Sequence, residues 1–228
     1  MQWSSMKHCV RTFALVAVLV LGFATLGVVG SASAQVPGRC EIPVSQRTGE
    51  IGCYVSATVV LDELPARPLF WHLYIYPSRA AAELVTGSRV TVVEALGKVW
   101  LYAIAEKGWR PSGGEHAITL GPLDVRTGRR YTAHYVEAVF PPGMKTIVHR
   151  HAGSEASYVI AGRECVETPD GKIVSRAGEG AVVGEGIPMQ LHNPGPETRR
   201  AVALILHDMS HHWSTPAPDW TPKGLCTQ

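Results

Sequence analysis

Between residues 131 and 208 short β-type runs follow one another closely, and no stretch of helical period interrupts them. The runs are Tyr131–Phe140, Ile147–His151, Ala156–Ala161, Glu164–Thr168, Lys172–Arg176, Ala181–Val183, Met189–Asn193 and Arg200–His207. Pro141-Pro142-Gly143 and Pro169-Asp170-Gly171-Lys172 separate them with turn chemistry, the second placed as a hairpin. A series of short, evenly spaced strands can bury its apolar faces only by packing sheet on sheet or by closing on itself. That restricts the segment to a sandwich or a barrel.

A second β-rich stretch precedes it, from about Pro68 to Leu120. Leu69–Tyr76, Arg89–Ala95 and Lys98–Ala105 are rich in Val, Ile, Tyr and Trp, with Gly87, Gly97, Gly108 and Gly113-Gly114 between or after them. Only Ala80–Val85 suggests a helical turn. The tail from Ser214 to Gln228 carries Pro216, Pro218 and Pro222 and reads as an irregular arm.

The first residues belong to targeting rather than to fold. Lys7 and Arg11 precede an apolar run from Phe13 to Val29, and Ala32-Ser33-Ala34 follows, the pattern of a secretory signal cleaved before Gln35. An uncleaved membrane anchor is the alternative; Gly22, Gly27 and Gly30 interrupt the run and count against it. No later stretch is long enough to span a bilayer. Of 21 basic and 19 acidic side chains, residues 1–34 hold two basic and no acidic ones. The remainder is therefore near neutral, and nothing points to nucleic acid or to an anionic membrane surface. The expected location is periplasmic or secreted.

Four cysteines lie beyond the signal: Cys40, Cys53, Cys165 and Cys226. An even count in an exported chain permits disulfides. Cys40 and Cys53 are the expected pair, pinning the N-terminal arm, while Cys165 and Cys226 read either as a second bridge or as buried thiols. The absence of CxxC gives no support to a redox motif or a zinc ribbon.

One dense group of metal-type residues sits inside the clear β segment: His149-Arg150-His151, three residues, then Glu155. Histidines at i and i+2 on a strand share a face, and a carboxylate beyond a turn can return to it. Two imidazoles and a carboxylate suit Fe(II), Mn(II), Ni(II) or Zn(II) and leave coordination positions open. A His-x-His pair alone is more often two surface histidines beside a loop acid.

The full spacing is more specific. Gly143, five residues, His149-x-His151, three residues, Glu155, six residues, Gly162 resembles the first motif of the cupin superfamily at each fixed position. The resemblance covers residues 131–208 and implies an all-β, double-stranded β-helix, a jelly-roll-like barrel with one divalent metal in its mouth. In the second motif the chain departs from the family. Gly178 to Pro188 supplies the framework with Gly184 where Pro is usual, and Asn193 fits the final Asn. Counting back from Asn193 puts Met189, not a histidine, at the fourth-ligand position. His192 lies three residues further along, facing the opposite way unless a bulge near Pro188 shifts the strand. Thioether sulfur is a soft ligand, so Met189 is expected to line the pocket rather than to bind Fe or Mn.

The expected organisation is a signal at 1–34, a β-rich unit at 35–125, a cupin barrel at 131–208 and an arm at 209–228. The N-terminal unit reads as a degenerate second cupin unit that has lost its metal, which would make the chain a bicupin; extra strands packed on a single barrel are the alternative. His72 and His116 are its only histidines. His207, His211 and His212 form a separate cluster, read as a strand end and tail. Cupins include dioxygenases, decarboxylases, isomerases and lyases, so the resemblance implies a metal-dependent enzyme acting on a small oxygen-rich organic molecule without choosing the reaction. A periplasmic binding, sensor or carrier protein is the rival. No catalytic residue is named by the sequence; Glu185 and His134 are candidates by proximity alone. A homodimer paired at its barrel edges is one state that the resemblance allows.

Overall fold

The computed structural model describes residues 1–2, 35–36 and 40–227; the signal reading over 1–34 falls almost entirely outside them. Residues 33–228 make one unit built from three antiparallel layers. The central sheet runs in the order Gly180–Val183, Gly153–Ala161, Arg199–Asp208, Arg130–Phe140, Gly52–Glu63. On one face lies a sheet ordered Gln35–Val36, Lys145–Thr146, Gln190–His192, Arg163–Thr168, Gly171–Arg176, in which only the first pairing is parallel. These two sheets form the double-stranded β-helix. The hairpin expected at residues 169–172 is present as a loop of Pro169 and Asp170, with Thr168 opposite Gly171.

The third layer is the sheet Val90–Ala95, Lys98–Ala105, Leu69–Tyr76, Glu115–Leu123. Ser78 caps its one short helix, Arg79–Glu83, by accepting the Ala81 N–H at 3.2 Å. The layer is one four-stranded sheet packed on the central sheet. Its aromatic and β-branched residues explain where it packs. Trp71, Trp100 and Tyr102 point toward Tyr131 and Tyr135 of the central sheet, with Tyr102 and Tyr135 rings stacked at 4.9 Å. Trp100 donates its indole N–H to the Ala95 carbonyl at 3.0 Å. Burying side chains of this size contributes about 1.5–3 kcal/mol each before conformational entropy is charged.

The central sheet is therefore covered on both faces, and the period-2 rule sorts its residues. Along Arg199–Asp208, Val202, Leu204 and Leu206 enter the aromatic core. Arg199, Ala201, Ala203 and Ile205 face the barrel interior instead.

One strand departs from the sequence-based organisation. Gly52–Glu63 was not read as a strand and fell within the N-terminal unit, yet it pairs along most of its length with Arg130–Phe140 as an edge of the barrel sheet. Two bulges, at Val55/Ala57 and Leu61/Glu63, break its alternation, and much of its surface is exposed. Both disulfides are formed, Cys40–Cys53 and Cys165–Cys226. Among the described residues no helix is long and apolar enough to cross a membrane.

Candidate metal centre

His149–His151 is a three-residue strand held between two partners. Ser214–Pro216 pairs on one side, and Met189 forms a bridge to His149 on the other. The alternation expected of a strand is obeyed: Arg150 turns outward and donates to both Asp219 oxygens at 2.6 and 2.5 Å. The imidazoles on either side of it turn inward, both buried, with ring centres 4.9 Å apart and planes at 86°.

Glu155 arrives from the next strand, where it sits between Val183 and Ile205 in the middle of the central sheet. Gly153 makes this entry possible: a Cβ there would lie 1.9 Å from the Leu206 carbonyl oxygen, so any side chain would force the strands apart. One donor atom from each of His149, His151 and Glu155 lies within 4.8 Å of the others.

The tautomers follow from the backbone. His149 Nδ1 is 2.9 Å from the Ile147 carbonyl, and His151 Nδ1 is 2.8 Å from the Trp213 carbonyl. A carbonyl only accepts, so both Nδ1 atoms carry hydrogen and each neutral ring presents a bare Nε2 lone pair. His151 Nε2 then stands 2.9 Å from Glu155 Oε2, which is buried and receives no hydrogen bond. The His151 lone pair facing a carboxylate oxygen at this distance calls for a proton or a cation between them, with the His149 donor atom within 4.8 Å. The residues fit a metal by their donor set, by their fixed tautomers and by this orphaned oxygen.

Electrostatics agree. Burial, followed by the neighbouring His151, pushes the His149 pKa down against the pull of Glu155 and the Ile147 carbonyl. Burial pushes the Glu155 carboxyl up, but His151, His149 and Arg199 together outweigh it and hold the carboxyl below its ordinary range. His149 is thus held toward the neutral form and Glu155 toward the ionised one, the forms that ligate.

These three side chains open on a cavity of about 50 Å³ inside the barrel. Its wall is largely apolar: Val136, Ala138, Phe140, Leu191, Ala201 and Ile205, with the Cys40–Cys53 disulfide and Trp213 from the two arms. Among the described residues, Arg199 is the one basic side chain in the wall besides the histidines.

The other sequence candidates lie elsewhere. Met189, expected to line the pocket, is not in its wall: it is opposite His149 on the same face, exchanging backbone hydrogen bonds of 3.1 and 2.8 Å, and packs with Phe140, Met144 and Leu191. His192 turns to the other side, its Nδ1 3.1 Å from the Cys226 carbonyl. Glu185 pairs with Arg126 at 2.9 Å, away from the cavity wall. His134 stacks between His207 and Trp213 at centroid distances of 5.1 and 4.9 Å, and is not in the wall either. His72 bonds to Glu106 and Thr119 in the outer sheet, and His116 to the same Thr119. His211 rests on Ser210, and His212 on the Ser214 carbonyl. Sequence reasoning missed Arg199, Trp213 and the disulfide as wall residues. No local spacing connects them to the motif, since strand pairing and the two arms bring them in.

Comparison with known proteins gives one family: residues 136–205 match the cupin domain. No curated protein matches the chain. Among solved structures, a cupin domain from Bordetella pertussis Tohama I is similar at 25% identity over 37% of this chain and 88% of that one, with a TM-score of 0.29. A double-stranded β-helix protein from Klebsiella pneumoniae is 21% identical over 43% of this chain and 83% of that one, TM-score 0.34. An oxalate oxidase in complex with the substrate analogue glycolate is 23% identical over 39% of this chain and 46% of that one, TM-score 0.32.

Proposed function

The chain is a member of the cupin superfamily through the domain at residues 136–205, and from that premise we propose that it is an exported, metal-dependent enzyme acting on a small oxygen-rich organic molecule. The observation that carries the reading is the gathering of one donor atom each from His149, His151 and Glu155 within 4.8 Å at the wall of one cavity. His149, His151 and Glu155 would hold one divalent ion of the Fe, Mn, Ni or Zn type. Such an ion supplies Lewis-acid chemistry at a bound oxygen atom, or oxygen chemistry if it is iron.

The chain's own residues do the rest. The carbonyls of Ile147 and Trp213 fix both imidazoles before anything binds, so little reorganisation accompanies loading. Trp213 and the Cys40–Cys53 bridge add apolar surface to the cavity wall. Export is supported by the leader pattern over residues 1–34 and by two disulfides, which persist in oxidising compartments.

Elemental analysis of the purified protein tests the metal. Wild type should carry one divalent transition ion per chain, and His151→Ala should carry none. Stoichiometric metal in that variant would place the ion elsewhere, for instance at His211 and His212. Catalysis is tested by oxygen uptake and product analysis over a panel of small carboxylates and diketones, and export by an intact mass beginning at Gln35. A non-catalytic binding or carrier role is the second reading. It is favoured by the cavity wall, in which, among the described residues, no carboxylate or imidazole stands beyond the metal set to serve as acid or base.

A further inference from the structure

The cavity beside the metal set owes its space to alanines. On the inner face of the central sheet, Ala138 stands opposite Ala201 and Val136 opposite Ala203, and all four line the cavity. Alanines on the other face of the same sheet, Ala133 and Ala156, are covered completely by the aromatic core. Ala138 and Ala203 are not: both keep accessible surface, although they lie mid-strand in a sheet covered on both faces. Such positions favour β-branched or aromatic side chains, so the small residues leave room that the fold does not fill. The metal set stands at one end of this floor. Glu155 is opposite Ile205, which makes Ala203 its diagonal neighbour, about 7–8 Å away. Arg199 and Phe140, opposite each other, close the other end. Small side chains alone make no site; these share one cavity with three metal-type side chains, and one Glu155 oxygen there is buried without a hydrogen-bond donor.

Size and charge define what fits. About 50 Å³, at about 10–15 Å³ for each water-sized group, takes roughly three to five non-hydrogen atoms. Arg199 and Glu164 pair with each other, and Glu155 offsets one of the two charges of a divalent ion. One positive charge is then left at the metal end within apolar walls, which favours a monoanionic head there. The rest of the ligand meets methyl groups and has to be apolar. A short aliphatic acid satisfies both ends.

We propose that the cavity selects a short aliphatic monocarboxylate, with its carboxylate at the His149–His151–Glu155 end and its chain on Ala138, Ala201 and Ala203, and that these alanines set the length limit. The selection rests on the metal-site reading above and names the substrate class for it. Formate, acetate, propionate, butyrate and hexanoate are titrated by ligand-observed NMR into the full chain, metal-free and loaded with Zn(II). In the loaded chain affinity should rise about tenfold from formate to propionate, as burial of two carbon groups requires, and fall at least tenfold by hexanoate. Ala203→Val adds two methyl groups to the floor; it should keep full metal content and weaken propionate at least tenfold. Overpacking can unfold a core, so Ala203→Ser, close to alanine in volume, is the second variant. It should unfold as cooperatively as wild type and lose part of the gain of propionate over formate.

Affinity that stays level across the series, or climbs through to hexanoate, overturns the length limit. Unchanged propionate affinity in folded Ala203→Val does the same, and where that variant does not fold, unchanged affinity in Ala203→Ser decides. Stoichiometric Zn(II) without a length optimum leaves the metal reading standing and removes the floor. A chain that takes up no metal refutes the metal reading; the floor then stands if the same optimum appears in the metal-free chain, and falls with it otherwise.

Discussion

A histidine held by a carbonyl is a different ligand from a free one. His149 and His151 have their hydrogens placed on Nδ1 by the backbone, so binding a metal costs neither a tautomer change nor a ring flip. The motif asparagine has another role. Asn193 is fully buried; its Nδ2 donates to the Phe140 and Glu197 carbonyls, each at 2.8 Å, and its Oδ1 accepts the Gly195 N–H at 3.1 Å. It fixes the strand end, and with it the register that places Met189 across from His149 and turns His192 toward Cys226. Two substitutions read that register. Met189→His adds an imidazole beside a site already holding two, and should tighten Zn(II) or Mn(II) binding about tenfold, about 1.4 kcal/mol. His192→Ala should leave metal affinity unchanged. Isothermal titration decides, and loss of metal in His192→Ala with no gain in Met189→His would mean that the strand is shifted.

At the scale of elements, the two bridges staple the arms to the barrel and are separated by very different lengths of chain. Cys40 and Cys53 are 13 residues apart, Cys165 and Cys226 61. In the chain-entropy account, closing the short loop contributes about 3 kcal/mol and the long one about 4 kcal/mol. Replacing each pair by Ser should therefore lower the urea midpoint more for Cys165/Cys226, which ties the C-terminal arm beside His192. A larger loss from Cys40/Cys53 would show that native-state packing around Trp213, not loop closure, sets the effect. The barrel and the three-residue site were legible in the sequence because their signals are local: strand spacing, one hairpin, and histidines two apart on a short strand. What escaped is not local. Gly52–Glu63 has its alternation broken by bulges, and its pairing partner begins 67 residues after it ends. Arg199 meets Glu164 across 35 residues, a contact that only the folded barrel creates.

The whole molecule responds to acid through its buried imidazoles. Burial, then the neighbouring His207, His212 and His151, pushes His134 down to about 4 from an ordinary 6.5. Burial is also the first cause that lowers His72, His149, His192 and His207. A folded pKa below the unfolded one means that the unfolded chain takes up the proton first as pH falls. Stability from these groups is thus complete above pH 6.5, and the His134 share is lost as pH falls from 6.5 toward about 4. At about 1.4 kcal/mol per pH unit, His134 alone accounts for at most about 3.5 kcal/mol, less what solvent screening removes. Asp208 acts in a separate, lower window. Hydrogen bonds from the Ser210 N–H and hydroxyl hold it at about 2 against an ordinary 3.8, so its contribution is present above 3.8 and lost only as pH falls toward 2. Thermal midpoints recorded in EDTA, so that metal release adds nothing, should fall in two steps. His134→Gln should flatten the first step while leaving the second, and Asp208→Asn should do the reverse. A His134→Gln curve parallel to wild type between pH 6.5 and 4 would show that this ring is protonated in the native state and that the acid response arises at the other histidines.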